Sequence, residues 1–116
     1  MSVKRLRQVF IVAADFDAQC AFYQQVLGLE LMFRDGAHWA QFKAGDVTFA
    51  LAGERESLGA QPGQAVPVFE VTELDVHVAD VRRAGGSHSA IRDMGTHGRT
   101  VLCRDPRGAA FAMLQK

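Results

Sequence analysis

The stretch VAADFDAQCAFYQQVLGLEL, from Val12 to Leu31, changes periodicity twice within twenty residues. Its first residues end an apolar run, LRQVFIVA, that reads as a strand. From Phe16 to Leu27 the apolar residues Phe16, Cys20, Tyr23 and Leu27, joined by Phe22 and Val26, return at three-to-four spacing, as on one side of a helix. Asp15 precedes them as an N-cap whose carboxylate can accept from the free N–H groups of the first turn. Gly28 follows as the residue that can turn left-handed and stop the helix. LELMFRD then resumes an extended pattern, so the stretch is strand, helix, strand.

Working outward, the same order occurs again. AVPVFEV precedes a second helical stretch from about Leu74 to Ala84, with Leu74, Val78 and Val81 as its stripe. Thr72 and Asp75 resemble a capping box, and Gly85-Gly86 provides the stop. After the first helix come LELMFRD, HWAQFK and VTFALA; after the second come SHSAIRDM, RTVLCR and AAFAMLQ. Turns rich in glycine and aspartate separate them. The chain is therefore α+β, with two βαβββ modules over residues 4–52 and 65–115, joined by the linker GERESLGAQPGQ (53–64). A repeat of this kind favours two curled mixed sheets, each with a helix on its outer face, that form a cup-shaped pocket. A ferredoxin-like domain with added strands is the competing architecture.

Composition narrows the partners. The chain has 116 residues, enough for one domain, and 48% are apolar. Thirteen Lys+Arg balance thirteen Asp+Glu, which argues against a nucleic-acid or anionic-membrane partner, since both require a clustered basic face. VFIVAA is too short to span a bilayer, and although Lys4, Arg5 and Arg7 precede it, no signal-peptide cleavage site is expected after so short a run. Cys20 and Cys103 do not make a disulfide framework, so a reducing, cytoplasmic setting is expected.

Three segments in register, VAADFDAQCAFYQQVLGLEL, FEVTELDVHVADVRRAGG and CRDPRGAAFAML, resemble the vicinal oxygen chelate superfamily of glyoxalases, extradiol dioxygenases and bleomycin-resistance proteins. The resemblance covers nearly the whole chain. It implies a divalent metal held at four positions, which here are Gln8, Ala50, Val66 and Ala112. One neutral amide and three apolar side chains cannot replace the roughly three nitrogen, sulfur or carboxylate donors of a catalytic ion. We therefore expect no metal and no other cofactor. His38, His77, His88 and His97 lack the family spacing, and Cys20 and Cys103 lie in apolar patterns that suit buried structural thiols.

The resemblance then implies the metal-poor, drug-sequestering branch: a homodimer that binds a small aromatic or apolar molecule without catalysis. With Ala50, Val66 and Ala112 as floor, Phe10, Phe33, Trp39 and Phe42 are the candidate walls. Gln8, Glu70 and Arg92 are candidate polar contacts, with Asp93 and Arg99 near them. A cationic drug such as bleomycin is not expected, because a chain of zero net charge lacks long-range pull on a cation. The alternatives are a metal-dependent lyase, isomerase or dioxygenase, an enzyme using Glu70 as a base with its pKa raised by burial, and a module that only dimerises.

Overall fold

The computed structural model describes residues 3–116. The elements in order are β1 (Val3–Val12), α1 (Phe16–Val26), β2 (Glu30–Asp35), β3 (Trp39–Ala44), β4 (Val47–Ala52), β5 (Ala65–Val71), α2 (Leu74–Arg83), β6 (Ser87–His88), β7 (Arg92–Asp93), β8 (Arg99–Arg104) and β9 (Ala110–Gln115). They fall into two compact units. One is Gln8–Ala65; the other joins residues 3–7 with Val66–Lys116. Residues 4–7, read from the sequence as part of the first module, thus group with the second. The linker 53–64 groups with the first module, where Gln64 and Gly63 exchange backbone hydrogen bonds of 3.0 and 2.8 Å with Val12.

In the Gln8–Ala65 unit the strand order is β2-β3-β4-β1, with β1 parallel to β4 and the other pairs antiparallel. In the second unit β5 lies parallel to β9, β9 antiparallel to β8, and both β6 and β7 pair with β8. The first and last strands of each module are therefore parallel neighbours, and the internal repeat is one of topology as well as pattern. It departs at a single place. SHSAIRDM, expected as one strand, breaks into β6 and β7, because Ser89 uses its side-chain oxygen to accept from Leu102 N (3.1 Å) and donates it to Ala90 O. Side-chain competition for backbone groups of this kind interrupts ladders.

Each helix covers one sheet face. α1 buries Phe16 and Cys20 against Ala40 and Phe42 of β3 and Leu51 of β4. Full burial of a side chain such as Phe42 stabilises by about 1.5–3 kcal/mol. Asp15 caps α1 through Ala18 N, as expected. α2 buries Leu74 and Val78 against Val71, Val101, Cys103 and Met113. Its N-terminus differs from the Thr72–Asp75 capping box: Glu73 is the N-cap without a side-chain bond, and Gln115 of β9 accepts from Leu74 N at 2.8 Å. Asp75 is drawn away by a two-pronged pair with Arg99 at 2.9 and 3.1 Å. The C-terminus follows the Schellman pattern, with Gly86 N to Val81 O at 2.9 Å and Gly85 N to Arg82 O at 3.2 Å. Gly85 adopts φ +92°, which favours glycine.

Candidate functional site

The face of the Gln8–Ala65 unit opposite α1 follows from strand register. Gln8 pairs with Thr48, Phe10 with Ala50, and Val12 with Ala52. Across β4, Trp39 pairs with Ala52, Gln41 with Ala50, and Lys43 with Thr48. Paired residues share a face, so Gln8, Phe10, Thr48, Ala50, Trp39 and Gln41 look the same way. On β2 a register shift between Leu31 and Phe33 sets Phe33 opposite Gln41; this bulge turns Phe33 to the same side. Phe33 is 51% exposed there, whereas Phe10 is buried and packs on Trp39 with ring centroids 5.9 Å apart.

A hydrogen-bonded chain runs along this face. Gln8 Nε2 donates to Thr48 Oγ1 at 2.8 Å and to Gln41 Oε1 at 3.2 Å, and Trp39 Nε1 donates to the same Gln41 oxygen at 3.1 Å. β1 and β3 are separated by β4, so their backbones stand roughly 9–10 Å apart. The two amides meet because the intervening Ala50 carries only a methyl group.

Phe42 does not belong to this set. It is fully buried on the α1 side with Phe16 and Leu51, because period two puts residues 39 and 42 on opposite faces. Gln41 and Thr48 complete the chain and were not among the candidates. A glutamine two positions from Trp39 in an apolar strand was the available signal.

In the other unit Val68 pairs with Ala112, which pairs in turn with Leu102, and Glu70 pairs with Leu114. Val66 and Ala112 are fully buried. Glu70, 6% exposed, accepts from Arg5 Nε and Arg7 Nη1, both at 3.0 Å, with Lys4 Nζ at 3.5 Å. Burial pushes its pKa up, but the hydrogen bonds from Arg5 and Arg7, the Arg5 charge and Lys4 together outweigh that and hold it below the ordinary carboxylate value. Glu70 as a base with a raised pKa is thereby corrected: its lone pairs are taken by cations. Arg92 lies on β7 opposite Thr100. Asp93 is committed to Gly95 N at 2.8 Å and Arg99 to Asp75.

With this geometry in view, comparison with known proteins places the chain. The family model of the Glyoxalase/Bleomycin resistance protein/Dioxygenase superfamily matches residues 5–113. The chain belongs to that superfamily. An uncharacterised protein of Mycolicibacterium smegmatis is 32% identical over 87 residues, which span 75% of this chain and 72% of that one. Among solved structures, a superfamily member from Vibrio splendidus superposes with a TM-score of 0.72 at 16% identity, covering 97% of this chain and all of that one. Methylmalonyl-CoA epimerase from Mycobacterium tuberculosis gives 0.71 at 20% identity, covering 97% and 88%. The Streptomyces coelicolor epimerase gives 0.73 at 19%, covering 99% and 96%. At these identities the likeness establishes the α+β glyoxalase-superfamily fold.

The superfamily's metal can be tested against the residues. Both Nε2 hydrogens of Gln8 are spent on Thr48 and Gln41, which leaves one neutral carbonyl oxygen. Ala50 sits under the Gln8–Gln41 contact, and a carboxylate there would compete for the space in which the amides meet. Val66 and Ala112 offer no donor. Among the described residues no three His, Cys, Asp or Glu side chains are grouped as ligands. The superfamily's ligand set does not fit this chain. Thiol chemistry has no better footing. Burial pushes the Cys103 thiol up to about 11, and burial, resisted by Arg34, also raises Cys20.

Proposed function

We propose that the chain is a metal-independent binding protein for a small aromatic or apolar molecule, with Trp39 and Phe33 offering ring faces, Phe10 backing Trp39 from beneath, and Gln8 and Gln41 polar contacts. The observation that supports this reading is the closed amide chain over Ala50. Gln8 Nε2, Thr48 Oγ1, Gln41 Oε1 and Trp39 Nε1 are spent on one another, so the polar groups this face keeps for a ligand are neutral amide atoms instead of a carboxylate set that could hold a cation. Ring stacking on such a face adds about 0.5–1.5 kcal/mol per aromatic pair to what area burial contributes.

The unit also exposes Phe22, Val26 and Leu27 near α1, and Leu31, Met32 and Phe33 on β2, whose six residues are all exposed. β2 lies at the end of the strand order. Exposed apolar edges are normally covered, and we propose a second copy of the chain as the cover. Sedimentation velocity reads this directly, and a monomer at all concentrations ends the dimer. Two free, buried cysteines suit a reducing compartment, and no helix among the described residues is long and apolar enough to cross a membrane.

The test of function is Trp39 fluorescence, titrated with a panel of fused-ring aromatics after exhaustive chelation. Saturable quenching that survives the chelator supports the proposal. Affinity that appears only when zinc, manganese or iron(II) is restored overturns it in favour of a metal-dependent lyase, isomerase or dioxygenase.

A further inference from the structure

The amide chain has a direction, and that direction defines what a ligand must present. An indole N–H can only donate. The Gln41 atom 3.1 Å from Trp39 Nε1 must therefore be the carbonyl oxygen. The Gln8 atom 3.2 Å from that same oxygen must then be the amide nitrogen, and its second hydrogen goes to Thr48 Oγ1 at 2.8 Å. One tryptophan thus sets the orientation of both glutamines. Gln8 Oε1 is left as an acceptor. Among the described residues Gln41 Nε2 is left as a donor engaged only by the Met32 thioether at 3.9 Å, a weak acceptor that a carbonyl oxygen displaces readily. The site offers one acceptor and one donor, both uncharged, on the sheet face that also carries Trp39 and Phe33.

From this arrangement we infer that the ligand class is a neutral aromatic lactam or amide, whose N–H meets Gln8 Oε1 and whose carbonyl oxygen meets Gln41 Nε2. The inference rests on the binding reading above and narrows it. A cation gains only the Gln8 carbonyl and strands the Gln41 N–H. An anion gains only Gln41 and strands the Gln8 oxygen. A half-buried group left without a partner weakens binding more than a satisfied one strengthens it.

The test uses three flat probes of like size, followed by calorimetry on the chelator-treated full chain: 2-quinolone, N-methyl-2-quinolone and the N-methylquinolinium cation. The expected order places 2-quinolone roughly tenfold or more ahead of its N-methyl derivative, because methylation removes the donor for Gln8. The Gln41→Glu variant keeps an acceptor for Trp39 and Gln8 but has no donor. It should lose most of its affinity for 2-quinolone and move toward the cation. Equal affinities for the two quinolones in the unaltered protein overturn the lactam inference and leave the aromatic-binding reading intact, as does a preference for the cation. No binding of any probe, nor of the wider fluorescence panel, overturns both. The comparison of quinolones needs no variant, so misfolding of Gln41→Glu does not remove the test.

Discussion

Replacing Glu70 with glutamine isolates one electrostatic cluster and has a computable consequence. Two hydrogen bonds of 3.0 Å, from Arg5 Nε and Arg7 Nη1, end on one carboxylate oxygen, and Lys4 lies 3.5 Å from the other. A charge-assisted hydrogen bond contributes about 1.5–3 kcal/mol when well shielded. The cations here are only partly shielded, with Lys4 at 54%, Arg5 at 59% and Arg7 at 29% side-chain exposure, against 8% for Glu70. Solvent screening reduces each contact, so the substitution should cost roughly 1–3 kcal/mol in all. With a urea m-value of about 1–3 kcal/mol per molar, the midpoint falls by on the order of 1 M at neutral pH. The pH dependence supplies the sign. Glu70 is held below its ordinary value of 4.5, so its stabilisation is complete above that value and is lost as the pH falls through the depressed one. Urea titrations of wild type and Glu70→Gln should therefore differ at pH 7 and converge on acidification below the ordinary carboxylate range. Equal midpoints at pH 7, or a gap that persists unchanged into strong acid, would refute the reasoning.

Other outcomes rest on particular contacts and on burial. Gly53→Ala should destabilise by about 2 kcal/mol or more, since an added Cβ would stand 2.2 Å from Ala37 O, a backbone atom with little room to yield; an unchanged melting temperature contradicts it. Asp105→Ala removes the carboxylate that accepts from Arg107 N and Ala109 N at 2.9 and 3.0 Å, and Gly108→Val forces a β-branched residue to φ +91°. Each should cost roughly 1–3 kcal/mol in thermal melts. Ala112→Glu buries a carboxylate beside Val68 and Leu102 and should lower stability by about 3–5 kcal/mol; recovery on adding cobalt(II), with a visible ligand-field spectrum, would mean that ligands converge there after all. Native protein at pH 8 should resist thiol-directed reagents until urea is added, because burial carries Cys103 to about 11 and Cys20 is raised for the same reason; fast labelling without denaturant refutes this.

The parts of this fold that depend on local pattern were readable in the sequence. The β-α-β order of each module was visible as changes of period, and Asp15 and Gly85-Gly86 bounded the helices as expected. What failed depends on partners distant in sequence. Glu70 lies 63 and 65 positions from the two arginines that neutralise it, and Gln115 lies 41 positions from the helix start it completes. No local pattern encodes such pairings. Phe42 is a different case: alternation alone separates it from Trp39 and sends its ring to the helix side, with Phe16 and Leu51. Gln41 shows the reverse, a polar residue whose meaning emerges only when Ala50 brings the side chains of two non-adjacent strands together.

The division of β1 has a consequence for how the chain matures. Its residues up to Arg7 count with Val66–Lys116, and the rest of the strand counts with Gln8–Ala65. On the ribosome the Gln8–Ala65 unit holds all its own residues soon after position 65 emerges, while Lys4, Arg5 and Arg7 wait as uncompensated cations for Glu70. Replacing Lys4, Arg5 and Arg7 together should accordingly injure the late-made half and spare the early one.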